Sequence, residues 1–424
     1  WMTQAIPLTA TALLPFLALP TMGVMDAADT ASEYYSPILF LILGGAFLAL
    51  AIERVGLHKR LALAIIGLSG KTAWGILFAF MIATGLLSML ISNTSATLIM
   101  VPIALAVLVA GGIREKETEG FAGALIMGVA FAASIGGLGT LVGSPTNAIA
   151  VGLINKTLGM QIDFVGWLKF GLPIVVVGIP AAAGILIVVQ KVGRDSFDGV
   201  KARTVIGASG PWSLPEKRLV PVVALVVLGW LLLPQIKAFF PAGALHDGSV
   251  AIFGGLLLFM LPDGTGRKLL DWDEADRAPW GVIMMFGGGL ALAAGIIESG
   301  LADWLGLMLE PLRSVPVIVI AVALVALVIL ITEFASNVAT ASGVMPVVAS
   351  LILATGVDPV LLAVPAAMAA SWGFMLPSGT GPNAIAWATG HIELPKMLKS
   401  GFLLDLAGIP IIIGCIWIVS VVTT

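Results

Sequence analysis

The sequence predicts an all-α polytopic membrane protein built from two copies of one plan laid in opposite directions, and three observations carry that prediction. The first is composition: 59% of the 424 residues are hydrophobic and 11% are charged, with a mean hydropathy of +1.09. That leaves too little polar surface to cover a soluble domain of this length. The second is repetition. S-N-T at 92–94 returns as S-N-V at 336–338, Pro102 as Pro346 and Gly56 as Gly300 at one constant offset, and GSPTNAIA at 143–150 returns as GTGPNAIA at 379–386. LKFG at 168–171 and GIP at 178–180 recur in the same order as LKSG at 398–401 and GIP at 408–410. In a membrane protein, a duplicated plan with polar, Gly-rich breaks points to a transporter. The third is charge placement: the chain can be threaded so that only Lys156, Lys169, Lys237 and Arg313 lie outside and the other 17 of its 21 basic residues are cytoplasmic.

The elements follow in order. Residues 1–20 read as the later part of a spanning helix, and the natural amino terminus is expected to precede Trp1. Residues 26–35 form an acidic external loop, and residues 37–54 run inward. Residues 72–112 form a hairpin that enters from the cytoplasm and returns to it, with Arg114 at its mouth, and residues 121–155 cross outward as a helix broken at Gly143-Ser144-Pro145. Residues 1–190 thus make the first repeat, and 191–218, the only long polar stretch, a cytoplasmic linker carrying Arg194 and Arg203. In the second repeat, 219–424, residues 280–297 run outward, the hairpin 315–354 dips in from outside, and the broken helix 361–389 crosses inward. Apolar runs at 219–236, 315–332 and 402–422 are long enough to span a bilayer. Equivalent elements point oppositely, so the repeats are inverted about an axis in the membrane plane. Strand-period alternation is absent, which disfavours a β-barrel. Cys415 has no partner for a disulfide, and a formal net charge of −3 points to no nucleic acid.

Non-helical backbone at membrane depth leaves N–H and C=O groups unsatisfied, so it is tolerated only around protein, water or ligand. Four such breaks are predicted, at Ser92-Asn93-Thr94, Gly143-Ser144-Pro145, Ser336-Asn337-Val338 and Gly379-Thr380-Gly381-Pro382. If their tips converge, free N–H groups at the helix starts, with the side chains of Ser92, Asn93, Thr94, Ser144, Asn337 and Thr380, could hold carboxylates without any arginine. The carbonyl ends, with Asn and Ser oxygens, would suit a small hard cation such as Na⁺. An isolated S-N-T reads as helix-packing glue, whereas four breaks in duplicate favour a site. Glu53 and Glu298 read as caps or ion-pair partners, Glu53 with Arg54 for example. Glu333 and Asp405 sit deeper and are candidates for hairpin support or coupling. His58, His391 and Trp167 read as interfacial. No Walker loop, Ser-His-Asp pattern or Cys/His metal spacing appears, and GTGPN and GGGLALAAG lie in apolar helices rather than after strands.

These motifs, with LHKRLAL at 57–63 and TQAIPLTATALLP at 3–15, resemble the divalent-anion:sodium symporter family, the sodium-coupled di- and tricarboxylate transporters, over essentially the whole chain. The resemblance implies about eleven transmembrane helices with two re-entrant hairpins per protomer, a homodimer in a bacterial cytoplasmic (inner) membrane, and an elevator-type motion. It implies at least two Na⁺ sites, one at Ser88, Ser92, Asn93 and the Gly143 backbone, the other at Thr332, Ala335, Asn337 and Gly379. It places substrate carboxylates at Ser92, Asn93, Thr94, Ser144, Pro145, Ser336, Asn337, Val338, Thr380 and Gly381. Val338 replaces the Thr of a full second S-N-T, and Gly381 stands where proline is common; both bear on the preference among succinate, malate, fumarate and citrate. The expected activity is sodium-coupled symport of C4-dicarboxylates. The alternatives are a dicarboxylate exchanger or citrate transporter on the same fold and, more distantly, an intramembrane enzyme using Glu333 and His391.

Overall fold

The computed structural model describes residues 6–113, 117–193, 198, 200–201 and 210–423. Arg114, Lys116, Arg194 and Arg203, and much of the expected 191–218 linker, lie outside the described residues. Among the described residues every regular element is helical, and the one β-bridge, Pro262 with Lys268, is isolated. Among the described residues, eight helices are long and apolar enough to cross a bilayer, or nine if Leu214–Leu231 and Leu233–Phe239, bent by 67°, are one broken span.

The principal helices are α1 (Pro37–Val55), α2 (Ala73–Ser88), α3 (Asn93–Ala110), α4 (Gly120–Gly137), α5 (Pro145–Leu158), α6 (Phe164–Gln190), α7 (Asp247–Met260), α8 (Trp280–Glu298), α9 (Val317–Phe334), α10 (Asn337–Thr355), α11 (Pro359–Ala369), α12 (Gly381–Ala388) and α13 (Leu394–Thr423). Their starts follow local rules. Thr72, Ser92, Ser336 and Thr380 each turn a hydroxyl onto the N–H three residues on, and Pro145 opens α5 where a missing N–H costs nothing. Gly56 ends α1 in the left-handed conformation at φ 82°.

Every residue of α4 is buried. Its Gly and Ala faces let neighbouring backbones close in: a Cβ on Gly136 would overlap the Gly85 backbone of α2. Around α4, α2 packs against α4 and α6, and α6 against α13. A separate close pair, α1 with α7, is allowed by Gly44, whose absent Cβ would overlap Ala251.

Three expectations are corrected. Trp167 is fully buried, its Nε1 donating to Leu138 O at 2.9 Å, so it fastens α6 to the end of α4 rather than marking an interface. His58 is also buried, with Nδ1 3.1 Å from Ile52 O. Arg54 does not pair with Glu53. Successive residues diverge by about 100° around a helix, and Arg54 reaches Asp263 at 2.6 Å and Glu274 at 3.2 Å instead.

Candidate functional site

The first polar set forms where α2 breaks before α3. Ser88 Oγ donates to Ala133 O of α4 at 2.7 Å and lies 2.7 Å from the Asn93 amide. A hydroxyl has one proton, and here Ala133 takes it. With its nitrogen inward, the Asn93 amide donates to Ser88 Oγ at 2.7 Å and to Gly143 O at 3.1 Å. With its oxygen inward, that oxygen joins Ser88 Oγ and the carbonyls of Ala133 and Gly143 in an all-oxygen cluster, a donor set that suits a small hard cation. Glycine is needed on the facing loop. A Cβ on Gly143 would lie 2.6 Å from Gly137 O and 2.8 Å from Ser88 O, and one on Gly137 would overlap the Asn93 amide.

The second set repeats the chemistry. Thr332 Oγ1 lies within donating distance of both Ala370 O, at 2.7 Å, and Asn337 Oδ1, at 3.0 Å, and its one proton can serve only one of them. Hydroxyl, asparagine amide and alanine carbonyl therefore recur together where α9 breaks before α10. Ala335 is buried beside them, and Gly379 lies against Glu333: a Cβ there would be 3.5 Å from both Glu333 O and Glu333 Oε2.

The anion-facing groups are mostly backbone. Ser92 Oγ accepts from Ser95 N at 3.1 Å and donates to Ser95 Oγ at 3.0 Å. Ser336 Oγ accepts from Ala339 N at 3.2 Å and Thr380 Oγ1 from Asn383 N at 3.2 Å. Each cap satisfies the third N–H of its helix and leaves the first two, at Asn93 and Thr94 and at Asn337 and Val338, without an intrahelical partner. Ser144 is buried and makes no side-chain cap.

The two halves interlock. α12 of the second repeat packs on α3 and α4 of the first, while α10 packs on α5. A Cβ on Gly381 would sit 2.6 Å from Thr94 Oγ1, which places the first S-N-T against the second broken helix. A cavity of about 190 Å³ reaches Ser92, Ser95 and Pro145 and is closed on its far side by α1, with Glu53 and Arg277 on its wall. A larger cavity of about 600 Å³, lined by Asn155, Lys156, Asp163, Lys237 and His246 among others, holds none of the motif residues. The smaller one borders the first helix start through Ser92, Ser95 and Pro145, and no residue of 336–338 or 379–382 lines it.

Sequence reasoning did not single out Asn147 and Asn383. Asn147 Nδ2 donates to Gly137 O and Thr140 O at 2.7 and 2.8 Å, and Asn383 Nδ2 donates to Leu376 O at 3.1 Å; each pins the loop between the halves of a broken helix. The asparagine shared by GSPTN and GTGPN was the signal. His391 lies 2.8 Å from Glu117 O through Nδ1 and takes no part in the site.

A family model described as "Sodium:sulfate symporter transmembrane region" matches residues 1–423. The chain is 40% identical over 426 residues to a Staphylococcus saprophyticus protein named sodium-dependent dicarboxylate transporter SdcS, covering 97% of this chain and 82% of that one. It is 40% identical over 433 residues to the protein of the same name from Staphylococcus aureus strain USA300, covering 99% and 83%. The solved YdaH transporter of Alcanivorax borkumensis, described as having an unusual topology, shares the fold at a TM-score of 0.59 and 15% identity, over 96% of this chain and 88% of that one.

Proposed function

This chain belongs to the sodium:sulfate (divalent-anion:sodium) symporter family of membrane transporters, and on that premise we propose that it carries C4-dicarboxylates across the bacterial cytoplasmic membrane together with Na⁺. The observation that carries the reading is the duplicated set of hydroxyl, amide and carbonyl, Ser88–Asn93–Ala133 and Thr332–Asn337–Ala370, each at the start of a helix with free N–H groups. The oxygens of each set take one Na⁺, with Ser92 and Gly143 completing the first and Ala335 and Gly379 the second. The N–H groups of 92–94 and 336–338, with Ser144, Pro145, Thr380 and Gly381 around them, take the substrate carboxylates. Cation and anion then offset each other's desolvation, which couples their binding.

In this reading the repeats, 1–190 and 219–424, are inverted and form a homodimer in which the two hairpins and broken helices move as one body past α1 and α7, an elevator motion of alternating access. The sodium-dependent dicarboxylate transporter name of the 40%-identical relatives supports the choice of ions. The test is uptake of labelled succinate, malate, fumarate and citrate into proteoliposomes with an inward Na⁺ gradient. Uptake should need sodium. Equal uptake in choline medium, or uptake only into vesicles preloaded with dicarboxylate, would replace the symporter with an exchanger.

A further inference from the structure

Glu333, in the last turn of α9, and Asp405, midway along α13, are 3% and 6% exposed. Glu333 is fully engaged: Oε1 accepts from Met375 N at 2.9 Å and Oε2 from Leu376 N at 3.0 Å, the pattern that satisfies an ionised carboxylate. Asp405 is not, because neither carboxyl oxygen makes a hydrogen bond of ordinary geometry. Its side chain faces Glu333, and the backbone of Phe374 is its other polar neighbour. The 372–376 turn holds the two acids together, since Trp372 Nε1 donates to Leu404 O at 3.1 Å and Gly401 lets α13 close on Met375.

Among the described residues, no ion pair joins either acid to a basic side chain. Of the helices packed against α13, α6 carries only Lys169, which is exposed, α11 carries no charged residue, and α9 carries only Glu333. On α13 itself Lys399 is exposed, and Lys396 pairs with Glu119 and Glu393. A buried acid beside a second acid, with no basic partner, is among the costliest arrangements in a protein interior unless a proton or a metal cation joins it.

The pair is also unmatched in the duplication. At the constant offset of the S-N-T motifs, Glu333 corresponds to Met89, and at the offset of the LKFG and GIP motifs Asp405 corresponds to Val175, both apolar and buried. Everything repeated in the site comes in twos. This comes once.

We propose that the Asp405 carboxylate, facing Glu333, is a third monovalent-cation site, filled by Na⁺ and peculiar to the second repeat. The proposal rests on the sodium-coupled reading above. Two cations in the repeated sets balance a dicarboxylate dianion. A third, bound by an acid that has no twin, gives the loaded carrier one further positive charge, and the membrane potential then drives uptake. The Asp405 site lies one helix behind Thr332, so its cation steadies the segment that shapes the second set without touching the substrate.

The test compares wild type with Asp405→Asn in proteoliposomes, measuring sodium and net charge moved per substrate from reversal potentials. Asp405→Asn should move one sodium fewer per substrate and lose its response to voltage, while Asp405→Glu should keep both. Should the asparagine variant not transport, equilibrium ²²Na⁺ binding to the purified protein decides: one fewer bound ion supports the site, and an unchanged number overturns it. Unchanged sodium and charge ratios in Asp405→Asn also overturn it, as does a variant that keeps its sodium ratio and loses only a pH dependence, which would put a proton there. Sodium-independent uptake by the wild type would instead refute the underlying symport reading, so the two failures are distinguishable.

Discussion

Replacing Asn93 with alanine removes the one side chain that joins the first polar set to the start of α3. In the structure the Asn93 amide meets Ser88 Oγ at 2.7 Å and Gly143 O at 3.1 Å, while Ser88 keeps its bond to Ala133 O. The cavity left is therefore small and polar, and the fold keeps its other ties across the break, including Thr140 Oγ1 to Met89 O and Asn147 to Gly137 O. A hydrogen-bonding oxygen facing a charged group contributes about 1.5–3 kcal/mol, and each 1.4 kcal/mol is about tenfold in affinity. Asn93→Ala should thus weaken Na⁺ binding about 10–100-fold. Coupling free energy is reciprocal, so at a fixed sub-saturating Na⁺ concentration the dicarboxylate affinity falls too, and high sodium partly restores it. The assay is Na⁺-dependent stabilisation and substrate titration of detergent-purified protein, with circular dichroism to establish folding. A folded Asn93→Ala protein whose sodium midpoint equals that of the wild type would refute the assignment of this amide to the cation.

Asn337→Ala should behave alike in the second set, because its amide lies 3.0 Å from Thr332 Oγ1 as Asn93 lies against Ser88; a variant with unchanged sodium midpoint would break the equivalence of the two sets. Gly381→Ala places a Cβ 2.6 Å from Thr94 Oγ1 and should weaken substrate binding through an overpacking cost of about 1–3 kcal/mol, with Thr94→Ala relieving it in a double-mutant cycle; simple additivity would show that the two do not touch. Burial alone would raise the Asp263 carboxyl, but the Thr265 N–H and hydroxyl and the Arg54 guanidinium outweigh it and hold the group at about 2. Because the folded value lies below the ordinary 3.8, this contribution to stability is present above about pH 4 and fades as pH falls through about 2, and an Asp263→Asn protein with the same acid melting profile as the wild type would exclude it. In a Cys415→Ser background, cysteines replacing the exposed Lys71 and Arg313, which precede the two hairpins, should react with an impermeant thiol reagent from opposite faces of the membrane; labelling from one face would mean parallel repeats.

The breaks were legible in the sequence because they are local chemistry. Ser92, Ser336 and Thr380 cap the helices they precede, Pro145 opens one, and matching spacing in the two halves separates these from ordinary packing polarity. What the sequence could not show is where the chain folds back. The Ala133 and Ala370 carbonyls carry no side-chain signature, and only the meeting of α4 with α2, and of the loop after α11 with α9, brings them to Ser88 and Thr332. Trp167 looked interfacial by composition, but its burial depends on Leu138 O lying opposite its indole N–H. Arg54 had Glu53 beside it in sequence, and helix geometry turned it to Asp263, a residue far along the chain.

Under the proposed function, the same geometry explains why cation and substrate binding should be hard to separate by mutation at Asn93 and Asn337 and easier to separate at their neighbours. Asn93 gives its side chain to the oxygen cluster and its N–H to the open helix start, so one residue serves both ions and no substitution there touches only one. Thr94 meets Gly381 of the second repeat, while Ser88, bonded to Ala133 O, meets the Asn93 side chain. A change at this contact alters the carboxylate pocket and leaves the first cation set intact. Ser88, fully buried with its proton held by Ala133 O, is the converse case: altering it disturbs the cation set and reaches the substrate only through Asn93. Coupling in such a site is therefore a property of the one asparagine that bridges two ligand shells, repeated at Asn337, rather than of a conformational signal sent between distant sites.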